Sequence, residues 1–266
     1  MARQKLGQHF LADPGWRQRI ARAVIAPAAD VEREGVWIEI GAGHGEMTEL
    51  LASRARHVVA VELDRKLLPG LRELSRRLGN VTITAGDVLT VDLAALAEGH
   101  PYRVYGNIPY YITSPIIHHL FASRPMPEAA FLVMQLEVAE RLVAKPGGRD
   151  YGYLSAFTQY CAESRIVFRI PPGAFRPPPK VDSALVALYT PGARVKLGVK
   201  DEPGFVEFLK ACFAQKRKTL RNNLRPMVDG TGAKRLLKEC GIRPDARAEQ
   251  LSLPEMTRLF EQVRHG

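Results

Sequence analysis

Apolar and polar positions along the 266 residues fall into two textures. From residue 36 onward, short continuous apolar runs alternate with helix-sized segments. The strand candidates are VWIEI (36–40), HVVAVE (57–62), VTITAGD (81–87), RVYGN (103–107), AAFLVM (129–134), RIVFRI (165–170) and SALVALYT (183–190). Helices are predicted over 45–54, 64–78 and 114–123, and another opens at Asp13–Pro14 before WRQRIARAVIA. Pro69–Gly70 lies inside the second of these, so that helix is expected to be broken or shifted. Such alternation builds a mostly parallel, seven-stranded, doubly wound sheet, an α/β Rossmann-like domain. The last two strands are joined by PPGAFRPPPK with no helix between them, which predicts an antiparallel edge.

After YTPGARVKLGVKDEPG the pattern changes to short helices: GFVEFLKACFAQ, KTLRNNLRPMV, GAKRLLKEC and SLPEMTRLFEQV. Ser252 followed by Glu255 is a capping box opening the last of these. The boundary is expected near 192–200, giving a first domain over 1–195 and a small all-helical domain over 196–266. ERLVAKPGGRDYG (140–152) reads as a flexible, glycine-containing loop near the site, suited to closing over a ligand.

Charge then narrows the partners. With 38 Lys and Arg against 28 Asp and Glu, the formal charge is +10, a field that attracts polyanions. No apolar run approaches the roughly 18 residues needed to cross a bilayer, and nucleic acid is favoured over membrane because no basic amphipathic anchor stands out. MARQKLGQHFLADPG lacks the apolar segment of a secretion signal, and Asp13 and Pro14 mark it as structured chain. Cys161, Cys212 and Cys240 are scattered, without CxxC or nearby histidines, which suits a reducing cytoplasm and no metal.

The candidate chemistry sits at strand ends. Gly41, Gly43 and Gly45 fall between a strand and a helix, where backbone must approach a ligand closely. A dinucleotide fingerprint would place its third glycine at position 46, which is Glu46. A GxGxG turn instead suits a nucleoside bearing an amino-acid tail, namely S-adenosylmethionine. Glu62 ends the second strand and is placed to bind both ribose hydroxyls, and Asp87 ends the third and could accept from an adenine amino group.

Asn107 ends the fourth strand, inside GNIPYYITSP. An exocyclic amine is a poor nucleophile because its lone pair is delocalised into the ring. Acceptors on both N–H groups, the Asn107 side-chain oxygen and a backbone carbonyl beside Pro109, would push that nitrogen toward tetrahedral geometry. Pro109 fixes the turn and removes a competing donor. Tyr110 offers a face for a base extruded from its stack. The methyl then moves in line from sulfonium to nitrogen, through positioning and electrostatics. The alternative reading is a plain Asn-X-Pro turn with Tyr110 and Tyr111 in the core.

Beyond these residues the chain resembles the small-subunit (16S) rRNA adenine N(6)-dimethyltransferases, the KsgA/RsmA type, over nearly its whole length. LGQHFL, EIGAGHGEMT, VELD, GDVL, GNIPYYITSPII, FRPPPKVDSALV and FAQKRKTLRNNL follow the order and spacing of that family. The resemblance implies a donor site of His9, Leu11, Gly41, Gly43, Glu62, Asp87, Val88 and Asn107. It implies a catalytic set of Asn107, Ile108, Pro109 and Tyr110, with Phe175 as a second aromatic opposite Tyr110. Read from its own context, Phe175 before a proline run is equally a core plug. Lys216, Arg217, Lys218, Arg221 and Arg225 are expected to contact RNA phosphates, with Lys218, Arg221 and Arg225 sharing one side of a helix. A solvated helix face is the plainer reading of that run.

The acceptors implied are two adjacent adenines in the 3′-terminal hairpin of small-subunit rRNA within a pre-30S particle, modified by a cytoplasmic monomer. Two rivals remain: a macrolide-resistance enzyme acting on 23S rRNA, and a non-catalytic assembly or transcription factor on the same fold. A DNA adenine enzyme is disfavoured, because those carry Asp-Pro-Pro-Tyr where this chain has Asn107-Ile108-Pro109-Tyr110.

Overall fold

A computed structural model describes residues 9–25 and 35–265. Their contacts divide into two units, residues 1–139 with 165–190, and residues 140–164 with 191–266. The first unit is built on a seven-stranded sheet. Its strands are β2 (Val36–Ile40), β3 (His57–Glu62), β4 (Val81–Ala85), β5 (Tyr102–Asn107), β6 (Ala129–Gln135), β7 (Glu163–Ile170) and β9 (Ser183–Tyr189). They lie in the order β4-β3-β2-β5-β6-β9-β7. A separate antiparallel ladder pairs β1 (Phe10–Leu11) with β8 (Phe175–Arg176).

Strands β2 to β6 are parallel to their neighbours, and β9 turns back against β6 with Gln135 opposite Ser183. All five residues of β2 are buried, as a strand covered on both faces requires. The chain leaves β2 to one side through β3 and β4, then returns to its other side with β5. Loops therefore diverge at the carboxyl ends of β2 and β5, where Ile40 and Gly106 are in register. Trp37, Val58, Leu51, Ile20 and Phe131 belong to the core on this sheet.

Local chemistry explains the helix starts. Asp13 accepts from the Trp16 N–H at 3.0 Å, and α1 (Pro14–Ile25) begins there with Pro14. The predicted helix over 64–78 is shifted rather than broken: α3 (Leu68–Leu78) begins late enough that Pro69 falls in its first turn. A missing N–H is harmless there. Gly45, at φ 88°, leads into α2 (Glu46–Ala52). A Cβ at that position would collide with the Leu74 side chain of α3.

The first unit also carries α4 (Leu93–Leu96) and α5 (Thr113–Ala122), and the second takes in α7 (Tyr153–Cys161), α8 (Arg194–Leu197), α9 (Glu202–Cys212), α10 (Leu220–Asn223), α11 (Gly230–Glu239) and α12 (Leu253–His265). Aromatic rings form its centre, with Phe205 5.0 Å from Tyr160 and 5.4 Å from Phe260. The Ser252 N–H and hydroxyl both donate to Glu255, at 2.8 and 2.6 Å, as the capping box predicts. Those bonds hold the Glu255 carboxyl below its usual range.

This grouping differs from the boundary expected near 192–200. Residues 140–164 join the carboxyl-terminal helices because Tyr151 meets Phe213 at 6.0 Å and the Gly147 N–H donates to the Glu249 carbonyl at 2.7 Å. Within the expected loop over 140–152, residues 144–152 are turn and coil, and these contacts tether them. Glu140 to Val143 close α6 (Leu136–Val143), and Tyr151 is fully buried.

Gly45→Ala combines left-handed strain with overpacking, and is expected to cost roughly 1–3 kcal/mol of stability. Urea titration of the two proteins measures it; an unchanged midpoint would show that Leu74 yields freely.

Candidate active site at the carboxyl edge of the sheet

The turn after β2 is held by one carboxylate. Glu62, only 2% exposed at the end of β3, accepts the Gly43 N–H on Oε2 at 2.9 Å and the Asp64 N–H on Oε1 at 2.7 Å. Each oxygen keeps a second acceptor position. The Gly41 N–H donates to the Val61 carbonyl at 2.9 Å, tying the turn to β3 as well. Gly41 and Gly43 have φ of 71° and 60°; a Cβ on Gly41 would project into open space, and one on Gly43 would press on the Phe10 ring at 3.3 Å.

At the end of β5, Asn107 donates from Nδ2 to the His9 carbonyl at 2.9 Å. A carbonyl only accepts, so the amide nitrogen must face His9 and Oδ1 is the atom left to accept from a ligand. The Ile108 N–H continues the ladder to the Val133 carbonyl at 3.1 Å. Pro109, at φ −59°, then ends it. The Pro109 carbonyl accepts from the Ile112 N–H at 3.2 Å, which leaves it one further acceptor position, and Ile108 lines the same cleft.

Tyr110 is tied at both ends. Its hydroxyl bonds Ser183 Oγ at 2.9 Å, and the His9 ring stacks on it with centroids 5.6 Å apart and planes 27° apart. His9 Nδ1 in turn donates to the Pro177 carbonyl at 2.7 Å. Partial burial raises the Tyr110 phenol above its usual range, against a smaller opposite effect of the Ser183 bond.

Three adjoining recesses share Gly41. A cleft of about 460 Å³ is walled by His9, Gly43, Glu62, Asn107, Pro109 and Tyr110, with Ile108 in its lining. A second, of about 470 Å³, takes in Glu62, Asp87, Val88, Tyr111 and Ile112. Asp87 Oδ1 accepts the Leu89 N–H at 3.0 Å and caps a short turn two residues beyond β4. A third, of about 370 Å³, is bounded by Leu11, Arg17, Glu39, Glu46, Tyr105 and Asn107.

Glu39 in that third recess is 2% exposed, and burial pushes its carboxyl up to about 8. The hydrogen bond from Thr48 opposes this, while Glu62 and Glu46 add to it. Tyr105, its register neighbour on β5, carries a buried hydroxyl with no hydrogen-bond partner among the described residues. Neither residue was among the sequence candidates, although a glutamate within VWIEI, a strand otherwise apolar, is an anomaly that could have pointed there.

The expected donor and amine residues thus surround one set of recesses, and Tyr111, 61% exposed, is no core residue. Of the two readings of Phe175, its burial fits the core plug. It is 1% exposed and belongs to the core cluster, paired with Leu11 in the short ladder, so its ring stands outside all three recesses. A phenylalanine two residues before a proline run is drawn inward by its own burial energy.

The basic run needs correction. Only Arg221 lies in a helix, since α10 spans Leu220–Asn223, and Arg225 precedes Pro226, which disfavours continuation. Lys216, Arg217 and Lys218 form an exposed turn, with Lys216 Nζ 3.1 Å from the Arg149 carbonyl. Asn223 shapes that turn, donating to the carbonyls of Cys212 and Gln215 at 2.6 and 3.3 Å.

Residues 1–265 match the family model described as ribosomal RNA adenine dimethylase. The chain is 40% identical to the ribosomal RNA small subunit methyltransferase A of Koribacter versatilis, covering 98% of this chain and 94% of that one. It is 42% identical to the protein of the same name from Acidobacterium capsulatum, covering 97% and 90%. Among solved structures, a dimethyladenosine transferase from Plasmodium falciparum superposes with a TM-score of 0.75 at 25% identity, over 94% of this chain and 96% of that one. The 23S rRNA methyltransferase ErmE gives 0.70 at 28% identity, over 96% and 99%.

The elevated Glu39 carboxyl has a consequence for stability. The folded protein keeps this proton above pH 4.5 while the unfolded chain has lost it, so the contribution falls as pH rises from about 4.5 to about 8. Glu39→Gln does not titrate. Its melting temperature should therefore gain on the wild type as pH is raised across that window, and parallel curves would refute the assignment.

Proposed function

The chain belongs to the ribosomal RNA adenine dimethylase family, and from that premise we propose that it transfers methyl groups from S-adenosylmethionine to N6 of two adjacent adenines in the 3′-terminal hairpin of 16S rRNA. The observation that carries this reading is the Asn107 amide, held by His9 so that its oxygen is the acceptor beside the glycine turn and Glu62. The donor contributes an electrophilic methyl on a sulfonium. Everything else is positioning by this chain.

Glu62 offers one spare acceptor position on each oxygen to a pair of ribose hydroxyls, while its other positions hold the turn. Asp87 retains an acceptor oxygen for an adenine amino group, with buried Val88 as an apolar wall. Asn107 Oδ1 and a backbone carbonyl beside Pro109 take the two N–H groups of the target amine and draw its lone pair out of the ring. His9 covers one face of Tyr110, leaving the other for the extruded base. Ser183 stops that platform from turning. Phe175 has no part in this scheme.

The substrate is met as part of a pre-30S particle by a cytoplasmic monomer, with Lys216, Arg217, Lys218, Arg221 and Arg225 supplying phosphate contacts. Support comes from the +10 charge and from the exposure of the 216–218 turn. No helix among the described residues is long and apolar enough to cross a membrane.

Labelled S-adenosylmethionine supplied with unmethylated small subunits, large subunits and duplex DNA tests the assignment, with mass spectrometry of the digested nucleosides. Dimethyladenosine confined to the small subunit is expected; label in the large subunit alone would move the chain to the 23S class. Tyr110→Ala should lower kcat/KM about 10- to 100-fold through lost stacking while keeping donor affinity. Glu62→Ala should abolish donor binding and leave RNA affinity roughly intact.

A further inference from the structure

The third recess contains more polar chemistry than a passive wall needs. Glu39 and Tyr105 are register neighbours on β2 and β5, so their side chains emerge together on one face of the sheet. Both are almost wholly buried, and the Tyr105 hydroxyl has no hydrogen-bond partner among the described residues although Tyr105 lines the recess. Arg17, from α1, enters the same space and is paired with Glu46 of α2 at 3.2 Å. A buried acid beside a guanidinium suits a zwitterion: an ammonium toward Glu39 and a carboxylate toward Arg17. The donor assigned above ends in such a group. The recess shares Gly41, Gly43 and Asn107 with the main cleft, so one molecule can occupy both.

We infer that entry of the donor's amino-acid tail expels a proton from Glu39, leaving a carboxylate paired with the tail's ammonium. This rests on the donor-site reading above. No covalent bond changes: the carboxylic acid becomes carboxylate and its proton goes to solvent. The groups facing Glu39 fix the direction. Thr48 from α2 donates to it, Tyr105 from β5 has a hydroxyl free to donate, and Glu62 from β3 with Glu46 from α2 repel its charge. Arg17 from α1 also lines the recess, but its guanidinium is paired with Glu46 at 3.2 Å. Burial remains the largest influence on Glu39, holding the acid neutral near pH 7, and a further cation, the ammonium of the tail, reverses it. Tyr105→Phe would then weaken binding of a tailed ligand more than that of a tail-less one.

Calorimetric titration of the full chain with S-adenosylhomocysteine, in phosphate and in Tris at pH 7, reads the coupling directly. A carboxyl raised to about 8 is mostly protonated at pH 7, so about 0.9 proton should be released per ligand bound. Apparent affinity should weaken about 50-fold from pH 8 to pH 6, because only the ionised fraction is competent. 5′-Methylthioadenosine, which lacks the tail, should bind the wild type with no proton release and without that pH dependence. Glu39→Gln, which cannot ionise, should lose S-adenosylhomocysteine affinity by at least that factor and release no proton when ligand is raised to drive binding. Equal enthalpies in both buffers for the wild type, or undiminished release from Glu39→Gln, would overturn the inference. Absence of any S-adenosylhomocysteine binding would instead overturn the donor site itself, and this coupling with it.

Discussion

One carboxylate sets the shape on which the cleft depends. Glu62 is buried at the end of β3, and each of its oxygens takes a backbone N–H, from Gly43 on one side and Asp64 on the other. Those bonds link the loop after β2 to the loop after β3, across the place where the sheet reverses its winding. A buried, charge-assisted bond of this kind is costly to leave unmade. The glycine turn therefore has one conformation that satisfies it. Glu62 also faces the cleft, so the residue that would grip a nucleoside is the one that builds the surface beneath it.

Much of the parallel sheet was legible because both of its faces are covered. Buried strands read as continuous apolar runs, and β2 and β3 begin and end where VWIEI and HVVAVE do. VTITAGD overran β4 by two residues because Gly86 and Asp87 belong to the turn that Asp87 caps. The cleft was legible for a related reason. In a parallel sheet all strand ends point one way, so Gly41, Glu62 and Asn107 share an edge wherever the intervening helices lie.

What escaped the sequence depends on contacts without a local signature. Nothing in ERLVAKPGGRDYG announces that Tyr151 will pack on Phe213 or that Gly147 will bond to Glu249. Periodicity carried the 218–228 helix too far, since Asn223 spends its amide on the end of α9 and Pro226 follows directly. Phe175 is the case where the two signals part: its own context before the proline run reads as a core plug, and its pairing with Leu11 and its burial agree with that. His9 illustrates the reverse: no composition or spacing singles it out, yet its carbonyl orients Asn107 and its ring braces Tyr110.

The short ladder of β1 and β8 bears on how the molecule comes into being. Asn107 is oriented by residue 9, residue 9 by residue 177, and Tyr110 by residue 183. These segments are far apart in the chain, so closing them belongs to the slow, non-local part of folding. A polypeptide still emerging from synthesis has its glycine turn long before it has an oriented amide. On the proposed assignment, a half-made copy would lack the oriented amide and with it the means to transfer a methyl group.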